Sequence, residues 1–207
     1  FTMDLSDLIH AGDNLIVVRV RDSMDMRQPR GKQRWLEKNY KCWYVQTTGI
    51  WKTVWLEFVG KSYIRDLKLT PVMQEGKIRI ETEIAAEHEN ADYSLMLRAE
   101  VSFHGKNVGV TESGFHGNRA TIEMSVADPN EDSFAWSTHT WTPEHPDLYD
   151  LRLELKDHDG NTDEAVSYFG MREIRVENGN ILLNDNPLYE KLILDQGYWP
   201  ESGMTPP

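Results

Sequence analysis

Seven tryptophans, seven histidines and thirty-four Asp or Glu side chains are the chemistry-bearing stock of this chain. Their spacing excludes most catalytic classes. No nucleophile elbow, phosphate-binding loop or His-Glu-x-x-His motif occurs. The histidines are scattered. His139 and His145 flank "WTPEHP" without a third donor at metal-ligand spacing, whereas zinc sites are built from three or four protein ligands. Asp157, Asp159 and Asp163 gather in one turn, but that turn does not follow the calcium-loop pattern, so ordinary turn acidity explains them. Most other carboxylates alternate with apolar residues and read as the solvent face of strands. Neither a metal site nor a cofactor is expected.

The aromatic residues carry more information. Trp43, Trp51, Trp55, Trp136, Trp141 and Trp199 can anchor a sandwich core, the commoner use of tryptophan, or present flat rings to a pyranose. The stretch "TTGIWKTVWLE" poses that choice directly. After Gly49, which suits a turn or bulge, alternation puts Val54, Leu56 and Phe58 on one face and Trp51, Thr53, Trp55 and Glu57 on the other. Both faces are then partly apolar, so a strand here needs cover on both sides. Trp51 and Trp55 are expected on the face covered by another domain.

The elements that must position these side chains read as strands. Period-2 alternation marks half-buried strands. It places Ile16, Val18 and Val20 on one face of "LIVVRVR", and Ile78, Ile80 and Ile84 on one face of "IRIETEI". Leu95, Leu97, Ala99, Val101 and Phe103 share a face of "LMLRAEVSF". Ile122, Met124 and Val126 do so in "TIEMSV", and Tyr149, Leu151, Leu153 and Leu155 in "YDLRLELK". Turn chemistry separates the runs at "AGDN" (11–14), "HGKN" (104–107), "DHDG" (157–160) and "ENGN" (177–180). No amphipathic helix stands out. The expected fold is all-β and antiparallel, with about seven strands over 71–176, the count of an immunoglobulin-like sandwich.

Composition narrows the partners. A net charge of −12 and a pI near 5.0 argue against nucleic acid, whose binding rests on Lys and Arg neutralising phosphates. No run is apolar enough over the roughly 20 residues a membrane helix needs. The single cysteine, Cys42, excludes an intramolecular disulfide and leaves cytoplasm and bacterial periplasm equally open.

Three stretches in fixed order resemble glycoside hydrolase family 2, the family of beta-galactosidases, beta-glucuronidases and beta-mannosidases. "FTMDLSDLIHAGDNLIVVRVRD", "PRGKQRW" and "CWYVQTTGIWKTVWLEFVGKSYIRDLKLTP" resemble its sugar-binding domain. "WTPEHPDLYDLRLEL" followed by "YFGMREIRVENGNILLNDNPLY" resembles the end of its immunoglobulin-like domain. "LDQGYWPESGMTPP" is similar to the first barrel strand and following loop of one bacterial branch. The resemblance is weakest at about 85–135.

The resemblance implies three parts. Residues 1–70 would be the C-terminal part of a jelly-roll sugar-binding domain, 71–176 an immunoglobulin-like β-sandwich, and 177–207 the opening segment of a (β/α)8 catalytic barrel. Such a barrel needs about 250 residues, so this chain is expected to be a fragment without it. The family hydrolyses glycosides with retention through two glutamates on late barrel strands. No catalytic residue is therefore expected here, and the fragment alone should be inactive. Loops after barrel strands face the chemistry, so Asp195, Gln196, Tyr198 and Trp199 are candidates to meet a sugar. Gln196 would hydrogen-bond hydroxyls and Trp199 would stack. The alternative is that Tyr198 and Trp199 pack the barrel rim. Gln46 and Thr47 are secondary sugar-facing candidates. Expected partners are carbohydrate in the parent enzyme, the missing barrel, and a second copy through exposed strand edges. A rival class is a stand-alone carbohydrate-binding or adhesion module of two β-sandwiches; a third is a structural spacer.

Overall fold

The computed structural model describes residues 2–86, 94–127 and 138–206. Trp136 lies outside them. The chain divides into two compact units. One is 57–191, and the other joins 1–56 to 192–207.

The 57–191 unit is a two-sheet antiparallel sandwich. Strands β1 (Ser62–Val72), β2 (Lys77–Ala86) and β5 (Arg119–Ser125) form one sheet in the order β1-β2-β5. Strands β3 (Ser94–Phe103), β4 (Lys106–His116), β6 (Tyr149–Lys156) and β7 (Thr162–Phe169) form the other in the order β4-β3-β6-β7. This three-plus-four arrangement is that of immunoglobulin-like sandwiches. A small meander of β8 (Ile174–Glu177), β9 (Asn180–Leu183) and β10 (Asn186–Pro187) follows. The only helix among the described residues is a single 3-10 turn, Met73–Glu75.

Alternation becomes burial strand by strand. Ile78, Ile80, Thr82 and Ile84 point inward from β2, and Leu95, Leu97, Ala99 and Val101 from β3. Ile122 and Met124 of β5, with Val126 beyond it, meet Leu151, Leu153 and Leu155 of β6. The outward residues form cross-strand ion pairs: Lys68 to Glu81 at 2.9 Å, Arg79 to Glu123 at 2.6 Å, and Arg152 to Glu164 at 2.7 Å. Exposed pairs lose to solvent most of what they gain, so they favour register more than they stabilise.

The turns explain how consecutive strands reverse. His104-Gly105, Asn178-Gly179 and Asn184-Asp185 all have positive φ. A two-residue hairpin loop with both residues left-handed matches strand twist. Asp157 is buried, and its carboxylate accepts from Asn161 N (2.8 Å) and Nδ2 (2.9 Å). Asp163 on β7 accepts from the backbone N–H of Ile64 on β1 at 2.8 Å. These acidic groups serve turn and strand geometry.

Tyr149 opens β6 with its ring in the core. Its hydroxyl donates to Val126 O (3.2 Å) and accepts from His139 N (2.8 Å). This is the logic of the tyrosine corner, in which a phenol at the start of a strand ties down upstream backbone. The "WTPEHP" stretch is fastened separately. Trp141 N donates to Met171 O at 3.0 Å, and Asn184 Nδ2 donates to Trp141 O at 3.0 Å.

The other unit corrects three expectations. Neither "LIVVRVR" nor "TTGIWKTVWLE" forms a strand, and no barrel strand appears at "LILD". Alternation gives a segment two faces, but a strand exists only when neighbours accept and donate its backbone hydrogen bonds. Among the described residues of this unit only isolated bridges occur: Gln33 with Tyr44, Tyr40 with Trp43, and Trp199 with Gly203. None of its described residues is buried. Leu15 is 89% exposed and Ile193 90%.

Candidate functional site

The unit formed by 1–56 and 192–207 brings together candidates about 150 residues apart in sequence. The outer edge of one segment is set by the Gln33–Tyr44 bridge, where Arg34 N donates to Tyr44 O and Tyr44 N to Lys32 O, both at 2.7 Å. The other segment turns on Asp195, whose carboxylate accepts from Gly197 N at 2.8 Å. A second turn closes through Trp199 N to Gly203 O at 2.7 Å and Gly203 N to Trp199 O at 3.0 Å.

The segments meet at several points. The rings of Tyr44 and Tyr198 stack with centroids 4.4 Å apart and planes 8° from parallel. Thr205 Oγ1 donates to Trp51 O at 3.0 Å. Gly203 adopts φ +66°, and a Cβ there would lie 2.8 Å from Thr47 Cγ2. Glycine therefore satisfies both the left-handed backbone and the close approach.

Gln46 and Thr47 are held differently. Gln46 Nε2 donates to Asp22 Oδ2 at 2.8 Å, beside Thr48 Oγ1 at 2.9 Å, while Gln28 Nε2 donates to Oδ1 at 2.9 Å. Hydrogen bonding, led by Gln46 and then Thr48, holds the Asp22 carboxyl below its ordinary range. Through these bonds the Asp22 carboxylate anchors "QTT". Thr47 donates to Gln33 Oε1 from its backbone N (2.7 Å) and its hydroxyl (3.3 Å). Burial, then the neighbouring Tyr44, pushes the Tyr198 phenol above its ordinary value.

Gln196 and Trp199 are half-buried and Asp195 is exposed. The Gln196 Oε1 atom is buried without a protein partner. Such an acceptor costs about 1–3 kcal/mol until a donor reaches it. Trp51 is 48% exposed and Trp55 70%. Among the described residues, no three His, Cys, Asp or Glu side chains gather to hold a metal. The shallow concavity lined by Arg34, Trp35, Leu36, Tyr40 and Trp43 has no room for even a water molecule, so it is no ligand pocket.

Three contributors escape sequence reading. Gln33, Tyr44 and Asp22 lie in stretches that carry the family resemblance, but neither the resemblance nor the spacing gave them a role. Their roles arise from pairing across the unit. Gly203 alone leaves a trace, as part of a Ser-Gly turn signal.

The three-plus-four antiparallel arrangement makes the 57–191 unit an immunoglobulin-like β-sandwich. The sequence profile described as "Glycosyl hydrolases family 2" matches residues 62–172. The chain belongs to that family.

Among its relatives are a beta-galactosidase of Photobacterium profundum, 27% identical over 97% of this chain and 19% of the relative, and a putative beta-glucuronidase of Formosa agariphila, 27% identical over 83% of this chain and 19% of the relative. The chain thus spans about a fifth of the length of the curated relatives it matches. Two solved structures share the fold with a TM-score of 0.52. One is a beta-galacturonidase of Eisenbergiella tayi bound to galacturonate, 24% identical over 72% of this chain and 26% of that one. The other is beta-glucuronidase 2 of Bacteroides uniformis, 17% identical over 72% of this chain and 19% of that one. Among the described residues, no helix is long and apolar enough to cross a membrane.

Proposed function

We propose that this chain is a non-catalytic accessory region of a larger retaining glycosidase that cleaves O-glycosidic bonds in carbohydrate metabolism. The observation that carries this reading is family membership over 62–172 in a chain that spans about a fifth of its relatives. We set its divisions at the edges of the sandwich, because β1 pairs with β2 inside it: 1–56 sugar-binding, 57–191 immunoglobulin-like and 192–207 leading into the barrel. The parent's acid/base and nucleophile carboxyls, about 5–5.5 Å apart in a retaining enzyme, belong to the barrel. Relatives named beta-galactosidase and beta-glucuronidase favour a hexopyranoside or hexuronide as substrate.

In this reading Asp195, Gln196, Tyr198 and Trp199, with Gln46 and Thr47 behind them, line the side of the sugar site nearest this chain. The partnerless Gln196 Oε1 favours that role, because a sugar hydroxyl would supply its missing donor. Trp51 and Trp55 face the barrel, and their exposure here supports that assignment. The purified 207-residue chain should give no turnover of nitrophenyl glycosides; measurable turnover overturns the reading. The same chain should self-associate through 15–20 and 192–194. Light scattering that returns a clean monomer of 24.0 kDa would remove that part.

A further inference from the structure

Gln33 is not itself a candidate to meet sugar, yet its side chain touches both segments. Its Oε1 takes both Thr47 donors, and its Nε2 donates to Met204 Sδ at 3.9 Å across 171 residues. Its own backbone is fixed by the bridge to Tyr44. Gly203, the neighbour of Met204, approaches the Thr47 methyl to a distance no Cβ could share. Thr47 is thus contacted both by the Gln33 amide and by the 195–205 loop.

The amide is chemically particular. It accepts with one atom and donates with the other. A carboxylate of the same length keeps the acceptor and loses the donor, while leucine loses both. In a unit whose described residues include none that is buried, few apolar contacts are available to hold the 195–205 loop in place, so directional contacts weigh more.

We infer that Gln33 is a positioning residue of the proposed sugar site, clipping the 195–205 loop onto Gln46–Thr47 so that Gln196 and Tyr198 are held in place before ligand arrives. The functional half rests on the sugar-site reading above; the clip itself does not. A positioning residue acts here through Thr47 and Met204 and does not itself touch sugar.

The test is amide hydrogen exchange by NMR on the 207-residue chain. Gln33→Leu should speed exchange at Thr47, Trp199 and Gly203 together, by roughly tenfold, the scale of one neutral hydrogen bond. Gln33→Glu should spare Thr47 and speed only Trp199 and Gly203, as should Met204→Leu. Protection of the sandwich strands should not change in any variant, which guards against general misfolding. If Gln33→Leu speeds Thr47 alone, or Gln33→Glu matches Gln33→Leu at Thr47, the clip is overturned. Titration with galactose and with glucuronate then addresses the functional half. Shifts at 46–47 and 196–199 that weaken in Gln33→Leu support it. No shift with either sugar, with the exchange pattern intact, overturns the sugar role and leaves the clip standing.

Discussion

The sandwich at 57–191 and the unit built from 1–56 and 192–207 start from the same kind of sequence and end differently. Both contain alternating apolar runs. In "IRIETEI" the alternation becomes Ile78, Ile80 and Ile84 sealed in a core. In "LIVVRVR" the same pattern leaves Ile16, Val18 and Val20 exposed, and Leu15 and Val17 on the other face more so. Charge divides as well. The sandwich holds twenty-six Asp or Glu against thirteen Lys or Arg, while the other unit holds eight against nine. A strongly charged surface keeps the first soluble and separate. A near-neutral, apolar surface suits the second to being covered. Alternation therefore specifies which face turns inward only after something supplies an inside.

The largest test of this contrast is truncation in each unit. Leu153→Ala should cost about 2–5 kcal/mol, since its side chain is fully enclosed and removal leaves a cavity. Val17→Ala should change stability by no more than about 0.5 kcal/mol, as surface substitutions do. Chemical denaturation of both variants checks the pair, and a large loss for Val17→Ala would break the contrast. Next comes Tyr149→Phe, which strips the hydroxyl joining Val126 and His139. It should cost about 1–3 kcal/mol in the same assay.

Gly203→Ala should act within the other unit, where it meets both Thr47 and a left-handed backbone. A cost of about 1–3 kcal/mol in local order is expected, read as loss of the Tyr44–Tyr198 signature in near-ultraviolet dichroism without a change in the sandwich midpoint. Acidification should give a smaller, separable effect. The Asp22 carboxyl titrates below its unfolded value, so its stabilising bonds are present above that value and are lost as pH falls through the depressed one. Amide exchange at 46–48 should rise in that acid window, and Asp22→Asn should flatten the dependence. Arg79→Ala, like Val17→Ala, should leave the denaturation midpoint nearly unmoved despite its 2.6 Å contact with Glu123, since an exposed pair gains little over hydration.

Much of the sandwich was legible because its signals are local. Alternation marked the inward faces of β2, β3 and β6, and left-handed dipeptides such as Asn178-Gly179 marked the reversals. The other unit was read as strands because its apolar runs obey the same local rule, but pairing is not local, and among the described residues none pairs with them. The candidate site was legible in part. The family resemblance, through the loop after its first barrel strand, nominated Asp195, Gln196, Tyr198 and Trp199, and through its sugar-binding domain Gln46 and Thr47. That Tyr198 stacks on Tyr44, and that Gly203 and Met204 close on Thr47 and Gln33, depends on contacts across about 150 residues that no spacing rule encodes.

The bond from Ile64 N–H to the Asp163 carboxylate has a consequence for how the molecule behaves in a crowd. β1 and β7 are edge strands of their sheets, and an edge strand's free N–H groups are templates for a foreign strand. Asp163 occupies one of those groups with a charge that no incoming backbone can replace without burying it. The sandwich is thereby capped against growth at that corner. Stickiness, and with it the capacity to be assembled into something larger, is left to the unit that lacks such a guard.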